Sequence, residues 1–403
     1  MRLAIELHGT VIGTLEGEPR SYDFTPSTEG IERFGLGSTL LSAAIPLAPS
    51  PRRDHAARRR NWFAELLPEG EQHEYMLQQG KLKRGDTLGF LARYGRDVAG
   101  ALQIWDLEDP GEPRIPERRI LTSAEIRHLL EDPMGAPLAN APGTGKSSLG
   151  GVQPKVVLAK VGEEWAQALG GYATTHILKP QLSGDRATVI FDEEYGSRLA
   201  RRLGLADFES RIQEFDGLST LVIERYDRSD GTRVHQEDFN QVLGASGNEK
   251  YQELGGVVSL KRVADALTRH APEEDLRKLA QMVVFAVGIG NLDLHTKNLA
   301  LLHPLNGAAR LAPTYDAVPQ AHMPNDGRLA LAVNGKYAHD AVSSDDLEAE
   351  LSSWGLRRAA RIVSDTLDQL QAAATQELPL EGAFPCLQEQ ILGFVARLAA
   401  TSR

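Results

Sequence analysis

Strand-like and helix-like patterns occupy different parts of this 403-residue chain, and that division most constrains its fold. Up to about residue 236, short segments rich in Leu, Ile and Val, such as 3–7 and 221–226, are typical of strands. Ala- and Leu-rich segments with helical spacing then follow at 273–290, 345–374 and 386–401. We therefore expect an α+β protein with a β-rich N-terminal part and a mostly α-helical C-terminal part.

Composition and charge exclude several classes of protein. Apolar residues make up 41% and charged residues 25% of the chain, as in globular proteins. No apolar run approaches the roughly 20 residues of a membrane span, and the N-terminus has no signal-peptide pattern. The single cysteine, Cys386, excludes an internal disulfide framework and a Cys-rich zinc site. We expect a cytoplasmic protein with no membrane contact, whose formal charge of −11 argues against non-specific coating of nucleic acid.

A stretch rich in proline and charge, at 107–118, is a candidate domain boundary. Before it, residues 1–20 predict a β-hairpin, 61–67 a short helix that ends at Pro68, and 87–105 a helix running into a strand. The chain is accordingly expected to comprise three parts: a β-rich subdomain with short helices at 1–110, a part with a Gly-rich loop at 119–228, and a helical part at 229–403.

The most Gly-rich segment lies at 136–153 and contains Gly-Thr-Gly-Lys-Ser at 143–147, which is similar to part of a Walker A loop. It is not a Walker A loop, because Asn140 stands where the first glycine is needed and 149–154 does not favour a helix. Such a loop between strands can still wrap phosphates with its backbone N–H groups. Taken alone, the segment favours the alternative of a flexible surface loop.

Asp293 and Asn298 are five positions apart, the interval found in the catalytic loop of protein kinases. Asp293 would accept the proton of an attacking hydroxyl, and Asn298 would hold a magnesium ion. Lys297 and His295 would add charge and hydrogen-bond donors around a transferred phosphoryl group. The alternative is a polar junction between a helix and a loop, since such a pair is common by chance.

Three further positions, Asp316, Lys179 and Glu193, complete the order of a kinase. Asp316 returns after an apolar stretch and a short turn, where a second carboxylate would serve a magnesium site. Lys179 ends a predicted strand and Glu193 begins the next predicted helix, so the two residues could pair as the kinase Lys and helix Glu do. Each is weak alone, but the Gly-rich loop, Lys, Glu, Asp/Asn pair and second Asp occur in kinase order.

With these motifs in this order, the sequence resembles the HipA-type toxin kinases of bacterial toxin–antitoxin modules. The resemblance keeps the family's order over about residues 60 to 320, and Pro154 is a departure within the loop motif. The stretches that carry it are WFAELLP at 62–68, GRDVAGA at 95–101, SLGGVQPK at 148–155, TTHILKP at 174–180, ERYDR at 224–228, HQED at 235–238, NLDLHTKN at 291–298 and PTYD at 313–316.

The resemblance implies a serine/threonine protein kinase with a bilobal, kinase-like fold that uses ATP and Mg²⁺. The parts 119–228 and 229–403 would be its N-lobe and C-lobe. Asp293 would be the catalytic base, Asn298 and Asp316 the metal ligands, and Lys179 the lysine on the ATP phosphates. The loop serine that becomes autophosphorylated matches Ser148, with Ser147 as the alternative. The remaining ATP-binding residues would be Ser148, Gly150, Gly151, Val152 and Gln153 in the phosphate loop and Glu224, Arg225 and Tyr226 in the hinge.

The resemblance also implies partners. These are a helix-turn-helix antitoxin of the HipB type, operator DNA reached through the antitoxin complex, and a protein substrate, with translation components such as an aminoacyl-tRNA synthetase as candidates. A small-molecule phosphotransferase and a kinase-like co-repressor remain as alternatives. The five arginines within Arg52–Arg60 are expected to form a solvated face or a salt-bridged loop, with contact to DNA as the alternative. Trp62 and Phe63 are expected in the core.

Overall fold

The computed structural model describes residues 1–113, 115–133, 137–140, 146–151, 153–229 and 231–400. The chain forms two compact units. Unit 1 comprises Met1–Pro180, Gln213–Glu237 and Leu302–Gly307, and unit 2 comprises Gln181–Ile212, Asp238–Leu301 and Ala308–Arg403. The predicted division into three domains stays a prediction.

Unit 1 begins with the predicted hairpin, which is confirmed. Strands β1 (Arg2–Leu7) and β2 (Thr10–Glu16) pair antiparallel around a turn at His8 and Gly9. With β3 (Asp23–Pro26) and β4 (Leu102–Asp106) they form a sheet of order β3-β2-β1-β4. The helices of this region are α1 (Thr28–Phe34), α2 (Ala56–Ala64), α3 (Gly70–Gly80) and α4 (Thr87–Tyr94).

The short helix predicted at 61–67 is wrong in its bounds. Helix α2 already begins at Ala56 and includes the second half of the arginine run. Its arginines do not break a helix, since Arg has a high helix propensity. The helix predicted from residue 87 and the strand after it are confirmed as α4 and β4, with Gly95 between them.

A second sheet, most of which belongs to unit 1, has the order β5-β7-β6-β8-β10-β9. Strand β7 was not predicted, because its two alanines give little strand signal. The bounds are β5 (Glu117–Leu121), β6 (Val156–Val161), β7 (Glu164–Leu169), β8 (His176–Pro180), β9 (Ser210–Phe215) and β10 (Leu218–Glu224), with helix α5 (Ser123–Glu131) and the short strands β11 (Arg228–Ser229), β12 (Thr232–Arg233) and β13 (His235–Asp238).

Strand β6 faces two hydrophobic cores, because successive side chains of a strand point to opposite faces. Val157 joins the core of the N-terminal region, and Val156 and Leu158 join the core of the second sheet. Trp62 and Phe63 are fully buried in the N-terminal core, as predicted, with their rings packed edge to face.

Unit 2 is mostly helical, as predicted. The helical spacing predicted at 345–374 is confirmed, and the segment forms two helices because the chain turns at Gly355 with φ +86°. None of the helices in the described ranges is long and apolar enough to cross a membrane. The bounds are α6 (Val189–Arg202), α7 (Phe239–Leu243), α8 (Leu260–His270), α9 (Glu273–Ile289), α10 (Ser344–Ser353), α11 (Ala359–Gln376), α12 (Leu387–Ala400), β15 (Arg310–Leu311), β16 (Arg328–Val333) and β17 (Lys336–Ala338). Strand β14 (Ala300–His303) begins with residues assigned to unit 2 and ends with residues assigned to unit 1.

Candidate active site

Helix α9 delivers the predicted catalytic loop in unit 2. Its C-terminal half is buried, and it packs against α11 and α12. The helix ends at Gly290, which adopts a left-handed conformation, and the N–H of Asn291 returns to the carbonyl of Ala286. A buried helix with this C-cap gives the following loop a rigid starting point.

The backbone of the loop is held by its own amide side chains. The side-chain oxygen of Asn291 accepts the N–H of Asp293 at 3.0 Å, and the side-chain nitrogen of Asn298 donates to the carbonyl of Asp293 at 3.0 Å. The Asp293 side chain itself is 38% exposed. The loop therefore fixes the backbone of Asp293 and leaves its carboxylate accessible, as a general base requires.

Asp316 lies beside this loop. The Asn298 side-chain nitrogen is 3.2 Å from the Asp316 carboxylate, and Asn291 donates to the Asp316 carbonyl at 3.4 Å. Tyr315 donates its hydroxyl to the carbonyl of Lys297 at 2.7 Å. Asp316 has φ +54°, a left-handed conformation that is uncommon for a residue other than glycine. Strained backbone of this kind is concentrated at functional sites.

The side chains present fit a magnesium ion. Hard cations take oxygen ligands, and Asn298 uses its nitrogen for both of the hydrogen bonds described above, so its oxygen is the ligand atom it would offer. Among the described residues, no group of three or more His, Cys, Asp and Glu could hold a metal. An ion held by Asn298 and Asp316 would therefore take its other ligands from water and phosphate oxygens, as Mg²⁺ commonly does.

His295 is buried in the same loop. Its ring packs edge to face on Tyr251 with 5.4 Å between centroids, and its Nε2 is 3.8 Å from the Asp293 carboxylate. The next residue, Thr296, donates its hydroxyl to Asn240. The loop is thus anchored on α7 and on the segment around Tyr251, while the predicted catalytic roles of His295 and Lys297 stay predictions.

Lys179 and Glu193 belong to different units. Lys179 is a buried residue of β8, paired in register with Leu221 of β10 in unit 1. Glu193 is a buried residue of α6 in unit 2. The predicted ion pair between them stays a prediction.

The two candidate serines are buried in unit 1. Ser148 is fully buried, and its hydroxyl donates to the carbonyl of Leu66 at 2.9 Å. Ser147 is 4% exposed, and its N–H and carbonyl are both bonded to the side chain of Asn140 at 2.8 Å. Both hydroxyls are therefore inaccessible while this segment keeps its position.

The rest of the predicted phosphate loop is only partly described. Lys155 donates its ammonium to the carbonyl of Gly150 at 2.5 Å, and Gly151 has φ +104°. Gln153 is half-buried. Val152, together with Gly143 and Gly145, lies outside the described residues. The predicted ATP-binding role of this loop stays a prediction.

The predicted hinge residues have different surroundings within unit 1. Glu224 ends β10, opposite His176, and Tyr226 donates its hydroxyl to Gln236 at 2.5 Å. The Arg225 side chain is buried and donates to Asp227, Thr174 and Val98. Its guanidinium is therefore a structural group of unit 1, and the predicted adenine-binding role is untested.

Arg225 belongs to a buried ionic cluster that no sequence pattern indicated. Asp97 contacts Arg228 at 3.0 Å, Arg233 at 3.3 Å and Thr174 at 2.6 Å. Burial alone would raise the pKa of Asp97, but the nearby guanidinium groups of Arg228 and Arg225 outweigh burial and lower it. Asp97 therefore stays ionised, and its carbonyl accepts the N–H of Ser148 at 2.9 Å.

The stretch proposed as a linker also takes part in packing. Glu112 is buried and pairs with Lys146 at 2.5 Å, and the Lys146 carbonyl accepts the N–H groups of Arg96 and Asp97. Lys146, at the start of the serine segment, is thus bonded both to the proposed linker and to the backbone of residues 96–97. The described part of 107–118 is therefore not a linker of solvated residues alone.

A buried helix that ends in an Asp–Asn loop, with a second aspartate against the asparagine, is the arrangement of the kinase class. Comparisons with known proteins agree. Residues 3–105 match the HipA N-terminal domain, and residues 147–376 match the HipA-like C-terminal domain. The putative kinase Y4mE of Sinorhizobium fredii is 32% identical over 88% of this chain and 89% of its own length. The chain therefore belongs to the HipA family, and it is a protein kinase.

Two further matches, one of sequence and one of structure, come from Shewanella oneidensis. The serine/threonine-protein kinase toxin HipA is 26% identical over 88% of this chain and 84% of its own length. A solved structure of HipA with HipB and its operator DNA matches with a TM-score of 0.80 at 23% identity, covering 99% of this chain and 97% of that one. This match confirms the predicted α+β, kinase-like fold.

Proposed function

We propose that this protein is a serine/threonine kinase that transfers the γ-phosphoryl group of ATP with the help of Mg²⁺ and acts as the toxin of a toxin–antitoxin module. The observation that carries the proposal is the contact of Asn298 with both the Asp293 carbonyl and the Asp316 carboxylate. Two candidate metal ligands and the candidate base are thereby held in one small region of unit 2.

The chemistry assigned to each side chain follows from its type. Asp293 would orient the substrate hydroxyl and accept its proton as the oxygen attacks phosphorus. Asn298 and Asp316 would hold the magnesium ion, which when bound neutralises negative charge on the phosphate oxygens. Lys179 would bind phosphate oxygens of ATP.

Autophosphorylation of a loop serine is part of the proposal, and the burial of Ser147 and Ser148 sets a condition on it. A hydroxyl that is fully buried and bonded to a backbone carbonyl cannot reach a phosphate. The serine segment must therefore leave its position before it is modified. Of the two, Ser148 is tied by fewer side-chain contacts, whereas Ser147 is held on both sides by Asn140.

The partners proposed for this chain follow from its relatives. A solved relative is bound to HipB and operator DNA, so we propose a helix-turn-helix antitoxin as partner and operator DNA as the target of the complex. We propose a cytoplasmic location, where ATP and translation components are found. The protein substrate is proposed to belong to the translation machinery, with an aminoacyl-tRNA synthetase as the first candidate.

The test is phosphoryl transfer by the purified full chain with radiolabelled ATP and MgCl₂, followed by mass spectrometry of the chain. Wild type should incorporate phosphate at Ser147 or Ser148, and Asp293→Asn should incorporate at least about 100-fold less per unit time, the scale typical of a lost catalytic group. Asp368→Asn, at an exposed position of α11, is the matched control and should behave as wild type.

Other outcomes decide between the alternatives. Equal incorporation by Asp293→Asn and wild type would overturn the assignment of the base. ATP binding without any turnover would favour a kinase-like co-repressor. Turnover that phosphorylates a sugar or an aminoglycoside, but neither serine nor a protein substrate, would favour a small-molecule phosphotransferase.

A further inference from the structure

Helix α6 lies against residues 317–322, the segment that follows Asp316. A Cβ atom added at Gly196 would stand 1.9 Å from the Ala317 carbonyl oxygen and 3.2 Å from a side-chain carbon of Pro319. The first distance is far below any van der Waals contact. Glycine is therefore required at this turn of α6 if the helix is to approach the backbone directly after Asp316.

One turn earlier on the same helix, Asp192 holds the far end of that segment. Its carboxylate accepts the Thr188 hydroxyl and the N–H of Phe384, both at 2.8 Å, and lies 3.3 Å from Nε2 of His322. The side chains of Asp192 and His322 are 0% and 4% exposed. The His322 ring stacks on Phe384 with 4.0 Å between centroids. Both ends of 317–322 thus rest on α6.

The opposite side of the segment is tied to the catalytic loop. The N–H groups of Gln320 and Ala321 both donate to the carbonyl of Gly290, at 2.8 and 3.0 Å. Gly290 is the C-cap from which the loop with Asp293 begins. The segment 317–322 is therefore held between α6 and the start of the catalytic loop.

We propose that Gly196 and the Asp192–His322 contact are positioning elements, which place the Asp316 carboxylate against Asn298 and so set the affinity of the site for the divalent ion. This inference rests on the proposed function of Asp316 as a metal ligand. It adds that α6 acts on the site through the backbone of Ala317 and the ring of His322.

The physical reason is the strict geometry that magnesium demands. Mg²⁺ requires near-ideal octahedral coordination, with oxygen ligands at about 2.0–2.1 Å. A methyl group at residue 196 must push the Ala317 carbonyl away by about an ångström or more to reach ordinary contact. Displacements of this size in a catalytic site cost up to about 100-fold in rate.

The first experiment compares Gly196→Ala with Gly393→Ala. Both place Ala in a helix, but an added Cβ at Gly393 meets nothing within 4 Å. Gly196→Ala should raise the Mg²⁺ concentration for half-maximal phosphoryl transfer by about tenfold or more, with the KM for ATP at saturating Mg²⁺ changed much less. Gly393→Ala should match wild type, with an equal or slightly higher Tm.

A second readout needs no turnover. Binding of Mn²⁺ in the presence of a non-hydrolysable ATP analogue, followed by electron paramagnetic resonance, should weaken in Gly196→Ala by a similar factor. Hydrogen exchange of the amides of 317–322, measured without metal or nucleotide, should accelerate in Gly196→Ala and stay unchanged in Gly393→Ala. Unchanged Mn²⁺ affinity together with unchanged exchange would overturn the role of Gly196.

His322→Phe tests the contact between Asp192 and His322 independently. It also replaces Gly196→Ala as the test of the proposal if that variant does not fold. Phenylalanine keeps the stack on Phe384 and removes the approach of Nε2 to Asp192, so a rise in the Mg²⁺ requirement with little change in Tm is expected. A wild-type Mg²⁺ requirement in a folded His322→Phe would overturn that part of the proposal. Failure of the proposed function looks different, because wild type itself would then show no metal-dependent transfer and no binding of Mn²⁺.

Discussion

The side-chain nitrogen of Asn298 lies 3.2 Å from the carboxylate of Asp316, although 18 positions separate the two residues. Strands β14 and β15 bring the chain back, and the Tyr315 hydroxyl on the Lys297 carbonyl fastens the return. Asp316 keeps a left-handed φ of +54° in this position. The contact therefore combines a local hairpin with a backbone conformation that only a few residue types tolerate.

Two replacements of Asp316 distinguish the role of its carboxylate in phosphoryl transfer from the role of its left-handed backbone conformation in stability. Asp316→Asn should lower phosphoryl transfer at least about 100-fold while leaving Tm nearly unchanged, because asparagine tolerates the left-handed conformation. Asp316→Ala should lose activity equally and, in addition, about 1–2 kcal/mol of stability, because alanine is strained at this φ. Phosphate incorporation and thermal unfolding measure the two effects. Equal Tm values for the two variants would contradict the assigned strain.

The burial of Ser148 predicts that a negative charge at this position displaces the segment 146–150. Ser148→Ala should cost about 1 kcal/mol, since one buried hydrogen bond to the Leu66 carbonyl is lost. Ser148→Asp should expel the segment 146–150, because an unpaired buried carboxylate costs far more than that bond. Hydrogen exchange and limited proteolysis should show faster exchange and cleavage near 146–150 in Ser148→Asp. Ser352→Asp, at an exposed site of α10, is the control, and equal exchange in both variants would count against this mechanism.

The burial of His235 predicts that the free energy of unfolding falls on acidification. It is fully buried, and burial lowers its pKa from 6.5 to about 3. Its Nε2 lies 2.7 Å from the Leu41 carbonyl and its Nδ1 lies 3.4 Å from the Ala101 N–H, as suits a neutral ring protonated at Nε2. Since the unfolded chain takes up the proton and the folded chain does not, stability is complete above about pH 6.5 and falls as the pH drops toward 3.

Urea unfolding between pH 7.5 and 4 measures this dependence. The His235 contribution should approach a slope of about 1.4 kcal/mol per pH unit well below pH 6.5. His235→Gln should be less stable at pH 7.5 and should show a shallower decline on acidification than wild type. His55→Gln, at an exposed position, should keep the wild-type slope. A decline as steep in His235→Gln as in wild type would rule out this residue as a source.

The arginine run contains two kinds of residue. Arg59 is buried and donates two hydrogen bonds to Asp23, at 2.6 and 2.7 Å, whereas Arg58 is exposed on the same helix. Arg59→Glu should cost about 2 kcal/mol or more, because it replaces a charge-assisted pair by a repulsion. Arg58→Glu should stay within about 0.5 kcal/mol of wild type. Chemical unfolding of the two variants checks this difference.

One of these two variants also tests whether the arginine run contacts DNA. Only Arg58→Glu, which keeps the fold, can report on binding of the antitoxin complex to its operator. Lower affinity with a shallower salt dependence would indicate a phosphate contact, since each such contact contributes about one to the salt slope. Unchanged affinity would support the solvated face that the sequence favours.

Several parts of the fold and site follow from local pattern. The long apolar run of α9 predicts a buried helix, and the five-residue interval between Asp293 and Asn298 places both side chains on one loop. The return of the chain to Asp316 follows a short hairpin, formed by β14 and β15. These features involve neighbours in the chain, so periodicity, turn residues and spacing are enough to indicate them.

Other parts depend on segments far apart in the chain. The sequence shows Arg225 as a residue at a strand end, whereas the fold buries its guanidinium with Asp97, which itself meets Thr174. Glu112, in a stretch that reads as linker, is buried against Lys146. The charge pattern alone does not separate the buried Arg59 from the exposed Arg58, because the difference lies in the position of Asp23.

The sequence by itself determined the α+β class, the family and the residues able to perform phosphoryl transfer, because each depends on residue type and local spacing. Only the tertiary structure decided that Ser148 is buried under the Leu66 carbonyl and that Gly196 abuts Ala317, 121 positions away. A glycine in a helix carries no local mark of what its missing side chain makes room for. That becomes visible only when packing brings a distant backbone against it.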